Sequence, residues 1–471
     1  MIDHKLEAQV DAYVKEIWED AIADIGQLVA HPSVSDVSAA EQGAPFGRPV
    51  REALDAALRI ARRLGYETSD DDGYIGIADI AGQRSAHIAT IAHIDVVPAG
   101  PGWRTDPFAL ERRDGWLLGR GALDDKGPAV LSLYAGAFLR RQGGAPRYGF
   151  RALLGCDEEA GMRDVDHYLD SHENPAFLFT PDAAFPVCNA EKGNYNAEFK
   201  SAPISSGRIL FWSGAAAGNA IPGESIIELA VDAEKLPAPR EHADRIGIEP
   251  VRQGVSRIVA RGIGGHASLP EGTMNAIGII VGYLRASHVV DGEEARFLEL
   301  LSKVLADTSG TQLGIASENE AFGALTLNGG TIEVRDGRIV QSIDIRYPDS
   351  TSAAAITERL SALAADFGAE FRVASSKPPF SVDADDPAVR ALIDVYGDVT
   401  GTRAEPFSMG GGTYARKFAR AVSFGPEEED LVAPEWIGSM HGPDEGASER
   451  SLRRALKIYI LAILRLQELE L

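Results

Sequence analysis

Cysteine is scarce in this sequence, and no apolar run is long. Only Cys156 and Cys188 occur among 471 residues, which is too few for a disulfide framework and favours a reducing cytoplasm. The longest apolar stretches, such as NAIGIIVGYL, are too short to span a bilayer. The N-terminus lacks the basic start and continuous apolar run of a signal peptide, and its apolar residues recur at helical spacing instead. We therefore expect a cytoplasmic protein with no membrane segment.

Positive charge is also in short supply. Lys and Arg number 46 against 70 Asp and Glu, which gives a net charge of −24. Such a chain repels nucleic acid phosphates and anionic membranes, so neither is an expected partner. Several catalytic motifs are absent as well: His-Glu-x-x-His, the phosphate loop, the Gly-x-Ser-x-Gly elbow, and a Gly-x-Gly-x-x-Gly fingerprint after a strand. These absences argue against a thermolysin-like peptidase, a serine hydrolase of the elbow type and a nicotinamide enzyme.

Strand and helix patterns alternate in the first part of the chain. The helix pattern PAVLSLYAGAFLRRQ lies between two of the predicted strands, which are YIGIADI, AHIATIAHIDVV, YGFRALLGC and AFLFTPD. Apolar strands that alternate with helices favour an α/β fold, with a mostly parallel sheet covered by helices on both faces.

The middle of the chain has a different pattern. GVSRIVARGI predicts a strand, NAIGIIVGYLRAS a helix, GTIEVRDGRIVQSIDIRYP a hairpin that turns at Asp336-Gly337, AAAITERLSALAADFG a helix and EFRVASS a strand. This β-α-β-β-α-β order is typical of a split ferredoxin-like unit. The end of the chain then returns to helix, strand and helix. We therefore predict a catalytic domain of residues 1–188 and 381–471, interrupted by an inserted α+β lid domain of residues 189–380.

Acidic residues and histidines cluster at five places in the α/β parts. The clusters are HID (93–95), DDK (124–126), DEE (157–159), TPDA (180–183) and MHGPDE (440–445). Three of them directly follow apolar strands, and the carboxyl ends of such strands form the ligand crevice of an open α/β sheet. Each cluster alone has a plain structural explanation, such as a core histidine or a solvated loop. Five together favour a site for a divalent metal such as zinc, manganese or cobalt.

With these clusters in place, the sequence resembles the dinuclear-metal aminoacylase/carboxypeptidase family, which includes aminoacylases, desuccinylases and bacterial dipeptidases. The similar segments span nearly the whole chain: HIDVVP, GRGALDDKGP, DEEAGM, TPDAAFPVCNAEKG, GHASLPEGTMNA, IRYP, GGGTYAR and HGPDE. TPDAAFP, the following EKG, and GGGTYAR are most similar to the dipeptidase V/Xaa-His dipeptidase branch. The resemblance implies a metallopeptidase that hydrolyses dipeptides, which we expect to act in the cytoplasm because of the low cysteine count.

The resemblance also implies a metal site with two divalent ions, zinc first, with manganese or cobalt as alternatives. His93 and Asp182 would bind one ion, and Glu159 and His441 would bind the other. Asp124 would bridge the two ions. The peptide bond after Asp124 would be cis.

Three further residues would act around these ions. Asp95 would hold the second ring nitrogen of His93. Glu158 would be the general base that takes a proton from the attacking water and passes it to the leaving amine. His266 is similar to the family's lid histidine, which helps to hold the oxyanion of the reacting carbonyl. Because the inserted segment is long, we expect one chain to supply this histidine itself, as a functional monomer.

The substrate side of the site is less defined. A dipeptidase must bind a free carboxylate, for which Arg346 and Arg416 are candidates because a guanidinium binds a carboxylate bidentately. Either arginine could equally be structural, and Asn219 is a weaker candidate. The alternative activity is a deacylase or desuccinylase of N-acyl amino acids with the same metal site. A peptide-binding protein without activity should lack a metal ligand or Glu158, and here all are present.

Overall fold

The computed structural model describes residues 3–428 and 430–471. It divides into two compact units. The α/β unit comprises Met1–Asn189, Ser381–Phe407 and Gly412–Leu471, and the inserted unit comprises Ala190–Phe380 and Ser408–Gly411. The catalytic and lid roles of these two units stay predictions.

The α/β unit is built on a sheet whose central strands are parallel. Seven of its nine strands are, in order, Glu67–Asp71, Ile75–Ile80, Gly149–Gly155, His87–His93, Phe177–Thr180, Ala421–Ser423 and Cys188–Glu191. The four strands from Gly149–Gly155 to Ala421–Ser423 pair in parallel, whereas the strands on either side of them are antiparallel. The predicted fold class, a mixed α/β protein with a mostly parallel central sheet, is confirmed.

The strand His87–His93 lies at the centre of this sheet. Its residues from Ile88 to Ala92 are fully buried, and His93 itself is 1% exposed. A central parallel strand is covered on both faces, which explains why its sequence is a nearly continuous apolar run. His93, the last residue of this run, is therefore held inside the protein where the parallel strands end.

Helices surround the sheet of the α/β unit. Their bounds are His4–Val29, Arg48–Arg63, Lys126–Ala137, Arg163–Ser171, Pro387–Thr400 and Glu449–Leu466. Local signals set several of their ends: Asp3 accepts a hydrogen bond from the Lys5 N–H, and Asp386 caps the helix that begins at Pro387. The helix Lys126–Ala137 is buried along almost all of its length. Its first residue follows the Asp124-Asp125 pair, so this buried helix fixes the position of the pair.

The inserted unit contains two antiparallel sheets. The strands of one, in order, are Thr326–Arg335, Arg338–Tyr347, Gly193–Lys200 and Glu370–Lys377; those of the other are Ile209–Ser213, Glu224–Leu229, Val255–Arg261 and Ile246–Arg252. The helices are Ala276–Ser287, Gly292–Val304 and Ala353–Asp366. The hairpin turns at Asp336 and Gly337, both with positive φ, as predicted.

One strand of the ferredoxin-like unit was assigned wrongly. The strand predicted from GVSRIVARGI is present as Val255–Arg261, but it belongs to the second sheet. In the first sheet Gly193–Lys200 takes the place of the first strand, between Arg338–Tyr347 and Glu370–Lys377. A short run of β-branched and apolar residues predicts a strand but does not say which sheet the strand joins.

Shorter elements connect these parts. They are the 3-10 helices Val37–Ala39, Phe138–Arg141, Ala233–Lys235 and Tyr414–Lys417, and the short strands Glu111–Arg113, Trp116–Leu118, Ala183–Ala184, Ala220–Ile221, Gly265–His266, Glu318–Asn319, Gly323–Ala324, Phe380–Ser381, Phe407–Met409, Pro426–Glu427 and Gly446–Ser448. Gly446–Ser448 pairs with Trp116–Leu118, so the chain that follows His441 runs beside the chain that precedes Asp124. Among the described residues, no helix combines the length and apolar character needed to cross a membrane.

Candidate metal centre

The ends of three neighbouring parallel strands carry most of the acidic cluster. His93 ends one strand, Glu158 and Glu159 follow Gly149–Gly155, and Asp182 follows Phe177–Thr180. Since parallel strands end at the same edge of a sheet, the fold gathers these side chains there. Asp124 and His441 join them from the turn before the helix Lys126–Ala137 and from a loop near the end of the chain.

Asp124 lies at the middle of the cluster. Its Oδ1 is 2.9 Å from Nε2 of His93, and its Oδ2 is 2.8 Å from Nε2 of His441. His441 Nε2 is also 3.0 Å from Oε1 of Glu159, and His93 Nε2 is 3.9 Å from Oδ2 of Asp182. The two oxygens of one carboxylate thus face two different histidines, which is the arrangement that a carboxylate needs to bridge two ions.

The donor atoms fit divalent metals. One oxygen or nitrogen from each of His93, Asp124 and Glu159 lies within 4.8 Å of the others, and the same holds for His93, Glu158 and Asp182. Imidazole with several carboxylates is a donor set for zinc, manganese or cobalt. Glu158, predicted as the general base, is thus as close to the donor atoms as the predicted ligands are.

Charge in the cluster is unbalanced. Burial raises the pKa of Glu158 well above its usual value, and nearby Asp182 raises it further. Burial, followed by the charge of Asp124, does the same to the pKa of Asp182. Hydrogen bonds with Asp124 and Glu159 raise the pKa of His441 to about 10. Bound cations would offset the negative charge that raises these pKa values.

Asp95 holds the turn that carries both glutamates. Its fully buried carboxylate accepts hydrogen bonds from the backbone N–H groups of Glu158 and Glu159, at 3.2 Å each. Its Oδ1 is 3.5 Å from Nδ1 of His93, while its own carbonyl oxygen is closer to that nitrogen, at 3.0 Å. The predicted contact with His93 is therefore accompanied by a second one, to the Asp-Glu-Glu turn, that the sequence did not indicate.

The Asp124–Asp125 peptide bond is cis, so this prediction is confirmed. The carboxylate of Asp125 accepts a hydrogen bond from the N–H of His93 at 3.0 Å, which ties the end of the strand to the turn. Lys126 is buried next to them and donates to the carbonyl of His31 at 2.6 Å. Burial lowers the pKa of Lys126 to about 7.

Three charged residues near the cluster were not predicted. Arg120 and Glu445 form a buried ion pair, although both lie inside the quoted segments GRGALDDKGP and HGPDE. Glu427 lies in a short strand that pairs with Ala183–Ala184, directly after Asp182. Burial raises its pKa to about 7, with the charge of Asp124 as the second cause. A glutamate next to further acidic residues is usually solvated, so no sequence pattern indicated that Glu427 is buried near the cluster.

The inserted unit places two of the predicted residues side by side. The short strands Ala220–Ile221 and Gly265–His266 pair, and the carbonyl of Asn219 accepts a hydrogen bond from the Ala267 N–H at 2.8 Å. His266 is exposed, and its Nδ1 accepts from the Ser268 N–H at 3.3 Å and lies 2.7 Å from the Ser268 hydroxyl. A neutral His266 ring therefore carries its proton on Nε2.

The two candidate arginines differ in surroundings. Arg346 is buried, and Asp344 binds its guanidinium at two points, at 2.6 and 2.9 Å; a third donor reaches the Gly410 carbonyl at 2.9 Å. These contacts favour a structural role for Arg346, and its role in substrate binding stays a prediction. Arg416 is half-buried in the 3-10 helix Tyr414–Lys417 of the α/β unit.

Comparison with known proteins gives a consistent result. Residues 89–465 match the model of the peptidase family M20/M25/M40. The chain is 33% identical over 460 residues to the Bacillus subtilis (strain 168) protein named "Putative dipeptidase YtjP", covering 94% of this chain and 96% of that protein. Human carnosine dipeptidase 1 has a similar fold, with a TM-score of 0.60 at 16% identity over 98% of this chain and 99% of the other. The Bacillus subtilis YXEP protein, a dinuclear metal binding peptidase from the M20 family, also has a similar fold. Its TM-score is 0.51 at 13% identity, over 96% of this chain and 98% of the other.

Proposed function

Since the chain belongs to the peptidase family M20/M25/M40, we propose that it is a dinuclear metal-dependent dipeptidase. The observation that carries this proposal is the central carboxylate of Asp124, whose two oxygens face His93 and His441 at 2.9 and 2.8 Å. The dipeptidase name of the Bacillus subtilis relative supports the substrate class.

The proposed ligands divide into two sets around Asp124. His93 and Asp182, whose nearest atoms are 3.9 Å apart, would hold one ion, and Glu159 and His441, at 3.0 Å, would hold the other. Zinc is the proposed metal, and manganese or cobalt would suit the same donors. When bound, the metal pair activates a water molecule and polarises the peptide carbonyl.

Glu158 is the proposed general base. Its partly buried carboxyl group lies among the ligand donor atoms, and its pKa is raised by burial and by Asp182. A carboxyl group whose pKa is raised in this way can take a proton from the attacking water and deliver it to the leaving amine. Asp95 accepts the backbone N–H groups of Glu158 and Glu159, and these hydrogen bonds hold the turn from which the Glu158 carboxyl group extends.

The remaining assignments concern the substrate and the assembly. His266 is the proposed donor to the oxyanion, and its Nε2 carries the proton that this role needs. Asn219, Arg346 and Arg416 are the proposed contacts to the dipeptide, of which Arg346 is already engaged by Asp344. We propose a functional monomer that acts in the cytoplasm.

The test compares substrates at defined metal content. The protein is purified, stripped with a chelator and reloaded with zinc, manganese or cobalt, and its turnover of dipeptides, tripeptides and N-acyl amino acids is measured. We expect chelation to abolish turnover, added metal to restore it, and dipeptides to be preferred. Equal cleavage of tripeptides and N-acetyl amino acids would refute the dipeptidase assignment and favour a deacylase.

A further inference from the structure

The ion pair between Arg120 and Glu445 is almost completely enclosed. Arg120 is 1% exposed and Glu445 is fully buried, and Nη1 of the arginine donates to Oε2 of the glutamate. The desolvation of two buried charges largely cancels their attraction, so a buried pair adds little stability over an apolar pair of the same shape. The contacts of the two side chains show what else the pair does.

Glu445 organises the turn before the bridging aspartate. Its Oε1 accepts hydrogen bonds from the backbone N–H groups of Gly121, Leu123 and Asp124, at 3.0, 3.2 and 3.3 Å. The last of these groups belongs to Asp124 itself. A single carboxylate oxygen therefore sets the backbone from which the bridging side chain extends.

Arg120 holds the segment of the other histidine. Its Nη2 donates to the carbonyl of His441 at 3.1 Å, with the carbonyls of Pro98 and Ala99 slightly farther away at 3.4 Å. The backbone of His441 has a φ of 62°, in the left-handed region that a residue with a side chain seldom adopts without support. The guanidinium thus fixes a carbonyl of this unusual conformation and joins it to the chain that follows His93 and Asp95.

We infer that Arg120 and Glu445 are positioning residues for the ion between Asp124 and His441. The pair connects the turn of Asp124 to the loop of His441. The side chains of Asp124 and His441 lie 2.8 Å apart, from Oδ2 to Nε2. His93, by contrast, ends a strand of the central sheet and Asp182 follows another, and the backbone pairing of these strands does not involve the ion pair. Asp124 is shared by both proposed ions, whereas His441 belongs to one of them. Loss of the pair disturbs both Asp124 and His441, so the ion at His441 should lose more affinity than the ion at His93. This inference rests on the dinuclear centre proposed above and not on the identity of the substrate.

A second Arg–Glu pair of the same unit, more exposed than the first, provides a control. Arg112 binds Glu449 bidentately, at 2.7 and 2.8 Å, and Glu449 also accepts from the indole N–H of Trp18. None of the contacts described for Glu449 reaches a proposed ligand or its turn. Glu449→Gln therefore makes the same chemical change in an Arg–Glu pair without touching the metal site.

The experiment titrates metal-free protein with zinc and measures each ion's dissociation constant by calorimetry and chelator competition. The ion held by His441 is identified as the one whose binding is lost in His441→Ala. In Glu445→Gln we expect this ion to lose about 10–100-fold in affinity, and the other ion, which shares only Asp124, to lose clearly less. Arg120→Lys keeps the positive charge but not the planar fork that reaches His441, so it should show the same split. Glu449→Gln should bind both ions as the unchanged protein does. The unfolding midpoint of each variant is recorded alongside.

The outcomes separate this inference from the function on which it rests. Equal weakening of both ions in Glu445→Gln, unchanged affinities, or the same split in Glu449→Gln would each overturn the positioning role. If neither Glu445→Gln nor Arg120→Lys folds while Glu449→Gln does, the pair is structural and the inference is wrong. An unchanged protein that binds fewer than two ions would instead overturn the dinuclear centre, and the inference with it.

Discussion

Asp95→Asn removes one charge from the middle of the site and leaves its shape almost unchanged. In the protein, each oxygen of the Asp95 carboxylate accepts a backbone N–H, from Glu158 and from Glu159, at 3.2 Å. Asparagine keeps one oxygen and replaces the other with an NH2 group. Because Asp95 is fully buried, water cannot fill the place of the missing acceptor.

The expected loss follows from this count of partners. One of the two N–H groups loses a hydrogen bond to a charged acceptor, worth about 1.5–3 kcal/mol, and meets another donor in its place. We therefore expect the free energy of unfolding of the metal-free protein to fall by about 2–3 kcal/mol. The turn of Glu158 and Glu159 also loses a support of the metal site, and such changes weaken metal binding by about 10–100-fold.

Denaturant unfolding of the metal-free protein and zinc titration measure these two effects. Asp36→Asn is the matched control, because Asp36 is exposed and accepts the Ser38 N–H at the start of a 3-10 helix. Asparagine caps a helix as well as aspartate does, so this variant should change stability by less than about 0.5 kcal/mol. If Asp95→Asn has the same free energy of unfolding and the same zinc affinity as the unchanged protein, the carboxylate does not hold the Asp-Glu-Glu turn.

Glu158→Gln should keep both ions but reduce turnover at least about a hundredfold, as is usual when a general base is lost; equal turnover, measured with metal content, would remove Glu158 from this role. His266→Ala should lower turnover strongly with metal content intact, and activity recovered on mixing it with Glu158→Gln would argue against a monomer. Asp386 caps a helix at 2.7 Å and binds Arg420 at 2.7 and 2.8 Å, so Asp386→Ala should cost about 1–2 kcal/mol of unfolding free energy at pH 7. Burial raises the pKa of Asp386, but Arg420 and the Ala388 N–H lower it by more, so the folded pKa lies below the usual value. Its contribution is therefore complete above about pH 4, the unfolded value, and is lost as the pH falls through the lower folded value, so unfolding curves of the two proteins should converge in acid.

The sequence predicted best where local pattern and position on the sheet agree. The strand that ends at His93 is a continuous apolar run, and its burial on both faces follows from that run. Glu158, Glu159 and Asp182 could be placed near His93 because parallel strands end at one edge of the sheet, although they are separated by dozens of residues. Asp124 and His441 do not follow strands, so their place at the centre depended on the resemblance to a family.

The residues that the sequence missed are those whose role depends on a partner far along the chain. Arg120 and Glu445 are 325 residues apart, and each alone is a charged residue that sequence patterns assign to the surface. Their burial becomes visible only when the chain after His441 pairs beside Trp116–Leu118. The same limit explains the wrong first strand of the ferredoxin-like unit, since a local strand pattern does not specify the neighbouring strands. Metal ligands are recognisable in a sequence because their chemistry restricts the residue types, whereas many residues could hold the ligands in place. The positioning of a site is therefore harder to predict from sequence than its composition.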